Sequence, residues 1–180
     1  MWILLVVGAL ILFGIMAYNS LVRLRERADG AWSDIDVQLK RRYDLVPNLV
    51  ETVKGYASHE QETLERVIQA RNRAIGASGP ADQAQAENVL TGALRQLFAL
   101  AESYPQLQAA GGFRDLQGQL SDIEEKISQA RRYYNAVVRD YNSKLKTIPT
   151  NLVANAFNFE TREYFEMDEA ERAAPKVDFS

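Results

Sequence analysis

The stretch FRDLQGQLSDIEEKISQARRYYNAVVRDYNSKLK, residues 113–146, decides the fold. Within it Phe113, Leu116, Leu120, Ile123, Ile127, Ala130, Tyr134, Val137 and Tyr141 recur at alternating steps of three and four. That spacing is the a/d seam of a helix that buries one narrow stripe. Gly111 and Gly112 precede the seam and Pro149 follows it, which suits a helix start and stop. A helix over 113–146 would be about 50 Å long at ~1.5 Å per residue.

The same periodicity extends outward towards the N-terminus. One stripe uses Leu21, Leu24, Ala28, Trp32, Ile35 and Leu39; a second uses Leu49, Val53, Tyr56, Leu64, Val67, Ile68 and Ile75. A third uses Val89, Leu90, Ala93, Leu94, Leu97, Phe98 and Ala101. GASGPAD, residues 76–82, reads as a loop, and Pro105 disfavours helical geometry at Tyr104. No segment alternates apolar and polar residues as a strand would.

The stretch KRRYDLVPNLV, residues 40–50, interrupts this pattern with a proline. Inside a helix Pro47 would remove one backbone bond and clash one turn back, at about 3 kcal/mol. A new helix capped by Asp44 would place Pro47 in its first turn, where no bond is lost. Lys40, Arg41 and Arg42 would then end the preceding helix, where cations suit the dipole. The expectation is a turn at Asp44, with a kinked continuous helix as the alternative.

The sequence therefore predicts an all-α fold. An N-terminal transmembrane helix continues into an antiparallel up-down four-helix bundle, followed by a short helical C-terminal tail. The anchor is expected at 1–22 and the bundle at 23–146, with helices at about 19–43, 45–76, 82–104 and 113–146. The tail, 147–180, carries Leu152, Val153, Phe157, Phe159, Tyr164, Phe165 and Phe179, too apolar for a solvated linker. It is expected to dock on the membrane-proximal end, on the base of the bundle or in the headgroup layer.

The anchor rests on WILLVVGALILFGIMA, residues 2–17, which holds no charged side chain. As a helix it is about 24 Å long, and about 32 Å if it continues to Val22, enough for a ~30 Å hydrocarbon core. Trp2, Phe13 and Tyr18 are the candidate membrane and interface residues. A cleaved signal peptide would want a basic leader and a small-residue cleavage site, and GIMAYNS is a poor one. Arg23, Arg25 and Arg27 follow the apolar run, and no Lys or Arg precedes it. The positive-inside rule then places the helical body in the cytoplasm of a bacterial inner membrane, an extracytoplasmic body being the alternative.

Composition bounds the chemistry. The 180 residues carry a net charge of −3, which argues against general nucleic-acid binding. There is no Cys, so thiolate metal sites and iron–sulfur clusters are excluded, and one His. A bundle di-metal site needs two Glu-x-x-His pairs, whereas Tyr56 stands where His59 would need its Glu. No phosphate loop, dinucleotide fingerprint or serine elbow is present. No cofactor, metal or catalytic residue is expected.

Two constellations are candidate interaction sites. YNS occurs at residues 18–20 and again at 141–143, and the bundle would bring both copies to its membrane-proximal end. With RRYYNAVVRDYN, residues 131–142, this defines a candidate recess of Tyr18, Asn19, Arg132, Asn135, Tyr141 and Asn142, suited to an anionic headgroup or peptide. The blander account is coincidence for the repeat and a polar rim fixing helix register. At the other end Lys40, Arg41, Arg42, Tyr43 and Tyr104 form a candidate distal docking tip, since Arg and aromatics are enriched at binding hot spots. Helix-end electrostatics is the simpler account of the same basic run.

These blocks resemble the LemA family of bacterial membrane-associated proteins. The resemblance rests on the anchor followed by YNSLVRLRERADGAWSDIDVQLKRRYDLVPNLVETVKGYASHE, on LFALAESYPQL, on DIEEKISQARRYYNAVVRDYNSKLKTIPTNLVANAFNF, and on REYFE with APKVDF. It covers nearly the whole chain. It implies an anchor plus a helical bundle, no enzyme activity, and, through a branch associated with magnetosome membranes, a part in organising a membrane. The functional expectation is a non-enzymatic scaffold or adaptor whose partners are the lipid bilayer, other membrane or envelope proteins and a second copy of itself. The alternative is a membrane-tethered sensor or ligand-binding module that uses the Tyr/Asn/Arg recess.

Overall fold

In the computed structural model, which describes residues 1–166, α-helices are the regular structure and no strand occurs among the described residues. The helices are α1 (Trp2–Lys54), α2 (Gln61–Ile75), α3 (Pro80–Ala101), α4 (Pro105–Ala109), α5 (Gly111–Lys146) and α6 (Thr150–Ala156). The chain divides into two compact units. The first comprises residues 1–39 and 125–164, and the second residues 40–124 with Phe165 and Glu166.

The turn expected at Asp44 is absent. Helix α1 runs through it for 53 residues, with Pro47 inside, and ends at Lys54. The reason is the phase of the buried stripe. Ala28, Ile35, Leu39, Arg42, Val46, Leu49 and Val53 are all buried and continue one heptad-like series across the proline. A break at Asp44 would discard that register. The missing Pro47 amide leaves the carbonyl of Tyr43 without its helical donor, and Arg71 Nε donates to that carbonyl at 2.7 Å. The actual break falls at Gly55–Glu60, where Tyr56 and Ala57 donate to the carbonyl of Val53. Leu49 and Val53 thus belong to α1 rather than to a helix over 45–76.

The loop expected at 76–82 is present in shorter form. Gly79 sits at φ 80°, in the left-handed region that favours glycine, and Pro80 opens α3. The core of the second unit is one cluster drawn from the end of α1 and from α2, α3, α4 and the start of α5. It includes Val46, Leu49, Val67, Leu90, Leu97, Leu107, Phe113 and Leu120. Tyr56, Ile75 and Val89, assigned to buried stripes on periodicity, are exposed. Tyr104-Pro105 does not lead straight into α5; the five-residue α4 intervenes and buries Leu107.

In the first unit the large apolar side chains of residues 2–16 are largely exposed: Trp2 by 79%, Leu10 by 65%, Met16 by 62%. Burial begins at Ala17 and Leu21. Among the described residues α1 is the one helix long and apolar enough to cross a membrane. Leu21 packs with Tyr141, Leu145 and Ala154, and Leu24 and Phe159 lie against that cluster. The α5 seam is buried at Ile127, Tyr134, Val137 and Tyr141 in this unit. Helix α6 ends at Ala156, and Asn158, at φ 52°, turns the chain so that Phe159 N–H donates to the Ala154 carbonyl at 2.9 Å. That reverse turn is the usual way a helix C-terminus satisfies its open carbonyls. Phe165 is fully buried, and Phe179 lies outside the described residues.

Candidate functional site

Two polar constellations are built into this scaffold, one in each unit. In the first unit the chain beyond α6 lies along α5 and α1. Asn142 Nδ2 donates to the Arg162 carbonyl at 2.8 Å, and Arg162 N–H donates back to Asn142 Oδ1 at 2.9 Å. One amide side chain thus pairs with both main-chain groups of one residue, as a neighbouring strand would. Tyr134 donates its hydroxyl to the Glu163 carbonyl at 2.9 Å, and the Arg162 guanidinium meets Asp29 at 2.6 Å. Burial pushes the phenols of Tyr134 and Tyr141 above their ordinary value.

Below this clamp lies an aromatic collar. The Tyr18 ring is 4.8 Å from Phe157 and 5.6 Å from Phe159, centroid to centroid. The Arg25 guanidinium stands 5.6 Å over the Phe159 ring. Lys144 Nζ donates to Ser20 Oγ at 2.5 Å. The two YNS copies therefore fall in one unit, with Tyr141 in the buried cluster and Tyr18 on the collar.

The six residues expected to form a ligand recess are distributed differently. Tyr141 and Asn142 are buried, and the polar groups of Asn142 are taken up by the chain at Arg162. Asn135 is half-buried and Asn19 exposed. Arg132 is exposed and donates to Ser128 Oγ at 3.0 Å, one turn back on its own helix. The chain at Arg162 and Glu163 takes up the polar groups of Asn142 and Tyr134. Asp29 and Arg162, central to the clamp, went unnoticed in sequence because their pairing joins positions far apart in the chain.

The second constellation surrounds Arg42, which is fully buried. Its Nη1 donates to Glu87 Oε2 at 2.7 Å. Its Nη2 donates to Thr91 Oγ1 at 2.8 Å and lies 2.8 Å from Glu124 Oε1. Tyr43 donates its hydroxyl to the other Glu87 oxygen. Gln83 Nε2 lies 2.9 Å from that same oxygen, 2.8 Å from the Tyr43 hydroxyl and 3.1 Å from the Ala74 carbonyl. Burial, and then the hydrogen bond to the Glu87 carboxylate, raise the Tyr43 phenol far above its ordinary value. A shallow hollow of about 250 Å³ lies beside the cluster, lined by Arg42, Thr91, Phe98, Leu120, Ser121 and Glu124.

This cluster corrects the distal docking tip. Arg42 is not a surface cation but the ionic centre of the core, and Tyr43 is half-buried with its hydroxyl committed to Glu87. Lys40 and Arg41 are exposed. Tyr104 is half-buried, and its hydroxyl lies 3.3 Å from Glu60 Oε1, so it belongs to a separate contact. The residue sequence reasoning missed is Glu87, for which a signal existed. Glu87, Leu90, Leu94, Leu97 and Ala101 follow one three–four series, which puts a carboxylate on the buried stripe of α3. Glu87 and Thr91, one turn apart, then bind Arg42, and Gln83, one turn earlier, binds Glu87.

Chemically the Arg42 cluster holds one guanidinium between two carboxylates. Replacing a buried pair of this kind by apolar residues of similar volume is often neutral, whereas removing one partner leaves a buried charge uncompensated. Among the described residues no group of three or more His, Cys, Asp or Glu side chains is placed to hold a metal ion.

A family model described as LemA family matches residues 31–179. Among curated proteins, Magnetosome protein MamQ 2 of Paramagnetospirillum magneticum is 26% identical over 178 residues, covering 84% of this chain and 65% of its own length. Magnetosome protein MamQ of Magnetospirillum gryphiswaldense is 26% identical over 177 residues, with the same coverage. Protein LemA of Metamycoplasma hominis is 28% identical over 158 residues, 86% of this chain and 71% of that protein. The chain thus spans about 65% of the length of the magnetosome proteins it matches.

Proposed function

The chain belongs to the LemA family, and from that premise we propose that it is a single-pass membrane protein whose helical body, a four-helix bundle with a docked tail, acts as a non-enzymatic scaffold or adaptor. One observation carries the reading. Helix α1 passes without interruption from an exposed apolar segment at Trp2–Met16 into buried, packed helix from Ala17 onward. An anchor joined to its body by continuous helix fixes the body's height above a bilayer, as a platform for other proteins requires. The side-chain amide of Asn142 and the carboxylate of Glu87 are engaged in internal pairing, at Asn142–Arg162 and at Arg42–Glu87. The kinship with proteins named for the magnetosome supports a role in organising a membrane.

In this reading the membrane is the bacterial inner membrane, with the body in the cytoplasm by the bias of Arg23, Arg25 and Arg27. Because the chain has no Cys, a Ser78→Cys variant reports sidedness to a membrane-impermeant maleimide. Labelling only after lysis of the inner membrane supports the cytoplasmic placement, and labelling in intact cells puts the body outside. The scaffold role is tested by photo-crosslinking the full chain in its own membranes from the exposed positions Val37, Tyr56 and Val89. The expected result is a position-dependent adduct with a defined membrane or envelope protein, or with a second copy. A substrate turned over by the purified chain, with turnover lost in Glu87→Gln, would sink the reading.

A further inference from the structure

We infer that the corner between α5 and α6 is a second point of contact with the bilayer, dipping Ile148, Leu152 and Phe157 into its headgroup layer. The inference rests on the reading of α1 as the anchor. Its first support is exposure in the wrong direction for a water-soluble corner. Ile148 is 78% exposed, Leu152 67% and Phe157 61%, whereas α6 buries only the small Ala154. A corner that turns Ile148, Leu152 and Phe157 outward is laid out to meet something apolar.

The second support is level. Phe157 and Phe159 pack against Tyr18, two residues beyond the last exposed turn of the apolar segment at Ile15 and Met16. Lys144 is tied to Ser20 at the same height. The exposed corner therefore lies beside the end of the stretch that would enter the membrane.

The third support is charge, and it selects the occupant. No Asp or Glu occurs from Met1 to Arg25 or from Tyr141 to Phe159, and these stretches carry Arg23, Arg25, Lys144 and Lys146. Apolar side chains interspersed along the chain with Lys144, Lys146, Thr147, Asn151 and Asn155, with Arg25 over Phe159, match a surface of anionic lipid headgroups over acyl chains. A second copy of the chain would oppose the same cations to themselves, so the bilayer is the better partner.

The test uses the full chain in vesicles of phosphatidylcholine with phosphatidylglycerol. Single-cysteine variants Leu152→Cys, Met16→Cys, Leu10→Cys and Val37→Cys each carry an environment-sensitive nitrobenzoxadiazole label. Lipids with a nitroxide near the headgroup, or midway along the acyl chain for the Leu10 label, supply the quencher. The Leu152 label should be blue-shifted and lose as much emission to the quencher as the Met16 label, while the Val37 label loses none. The loss at Leu152 should be larger than in vesicles of phosphatidylcholine alone; equal loss would overturn the selection of anionic lipid. An unquenched Leu152 label beside a quenched Leu10 label would overturn the contact while leaving the anchor in place. A Leu152 label that is blue-shifted, unquenched and dependent on protein density would overturn it in favour of a second copy. Loss of quenching at Leu10 as well would remove the anchor and the contact with it.

Discussion

Arg71 Nε donates at 2.7 Å to the Tyr43 carbonyl, the acceptor that Pro47 leaves without its helical amide. The pair explains how α1 carries a proline inside its last two turns. Arg71→Ala should destabilise the full chain by about 1.5–3 kcal/mol, the range for a hydrogen bond from a charged donor. Pro47→Ala returns an amide to that carbonyl, so the cost of Arg71→Ala should shrink in that background. Denaturant midpoints of the four proteins of the cycle give the coupling; simple additivity would show that the two residues do not share the carbonyl.

The Arg42–Glu87 pair predicts a strong asymmetry between single and double replacement. Arg42→Met leaves a buried carboxylate uncompensated and should cost about 3–5 kcal/mol. Arg42→Met combined with Glu87→Leu should recover most of that loss, because apolar residues of similar volume suit the same core. Thermal unfolding followed by circular dichroism separates the cases. A double variant as unstable as the single one would mean that the pair adds net stability.

Asn142 predicts a local effect. Asn142→Ala removes both bonds to Arg162, each worth about 1 kcal/mol, from a segment whose loss need not unfold the helices. Tryptic cleavage after Arg162 should accelerate several-fold while the global midpoint moves little. Asp29→Ala, which frees the Arg162 guanidinium, should act in the same direction. Unchanged cleavage in both variants would show that the clamp does not hold the segment.

Tyr43 predicts the alkaline limit. Its phenol has a higher pKa in the folded chain than the ~10 of an unfolded tyrosine, so the folded state holds that proton more tightly. The associated stability is complete below about pH 10 and falls as pH rises beyond it. Tyr43→Phe should flatten that decline, with Tyr134 and Tyr141, both shifted in the same direction, supplying the slope that remains. Denaturant midpoints from about pH 8 to 11 measure it. Equal slopes in the two proteins would contradict it.

Much of the architecture was legible because it is written in periodicity. The α5 seam read from Phe113 to Tyr141 is buried at Phe113, Leu120, Ile123, Ile127, Tyr134, Val137 and Tyr141. The loop before α3 is signalled by GASGPAD, and the short helical tail is found as α6. The break at Asp44 was misread because a proline's cost was weighed as a local quantity, while its relief comes from Arg71 on another helix. The same local weighing turned Arg42 into a surface cation, although it continues the buried series from Leu39 to Val46. The Asn142–Arg162 and Asp29–Arg162 pairs join residues 20 and 133 positions apart, and only the folded chain specifies such pairs.

The uninterrupted run of α1 past Ala17 also has an angular meaning. A helix advances about 100° per residue, so the direction in which each side chain of Trp2–Met16 points is set by the packed turns at Leu21 and Ala28. One residue added between Met16 and Leu21 would swing the whole apolar segment by about 100°, whereas seven added would return it almost to its starting azimuth. The face that Leu4, Ile11 and Tyr18 share is therefore aimed by the body of the protein, like a key cut to enter at one orientation.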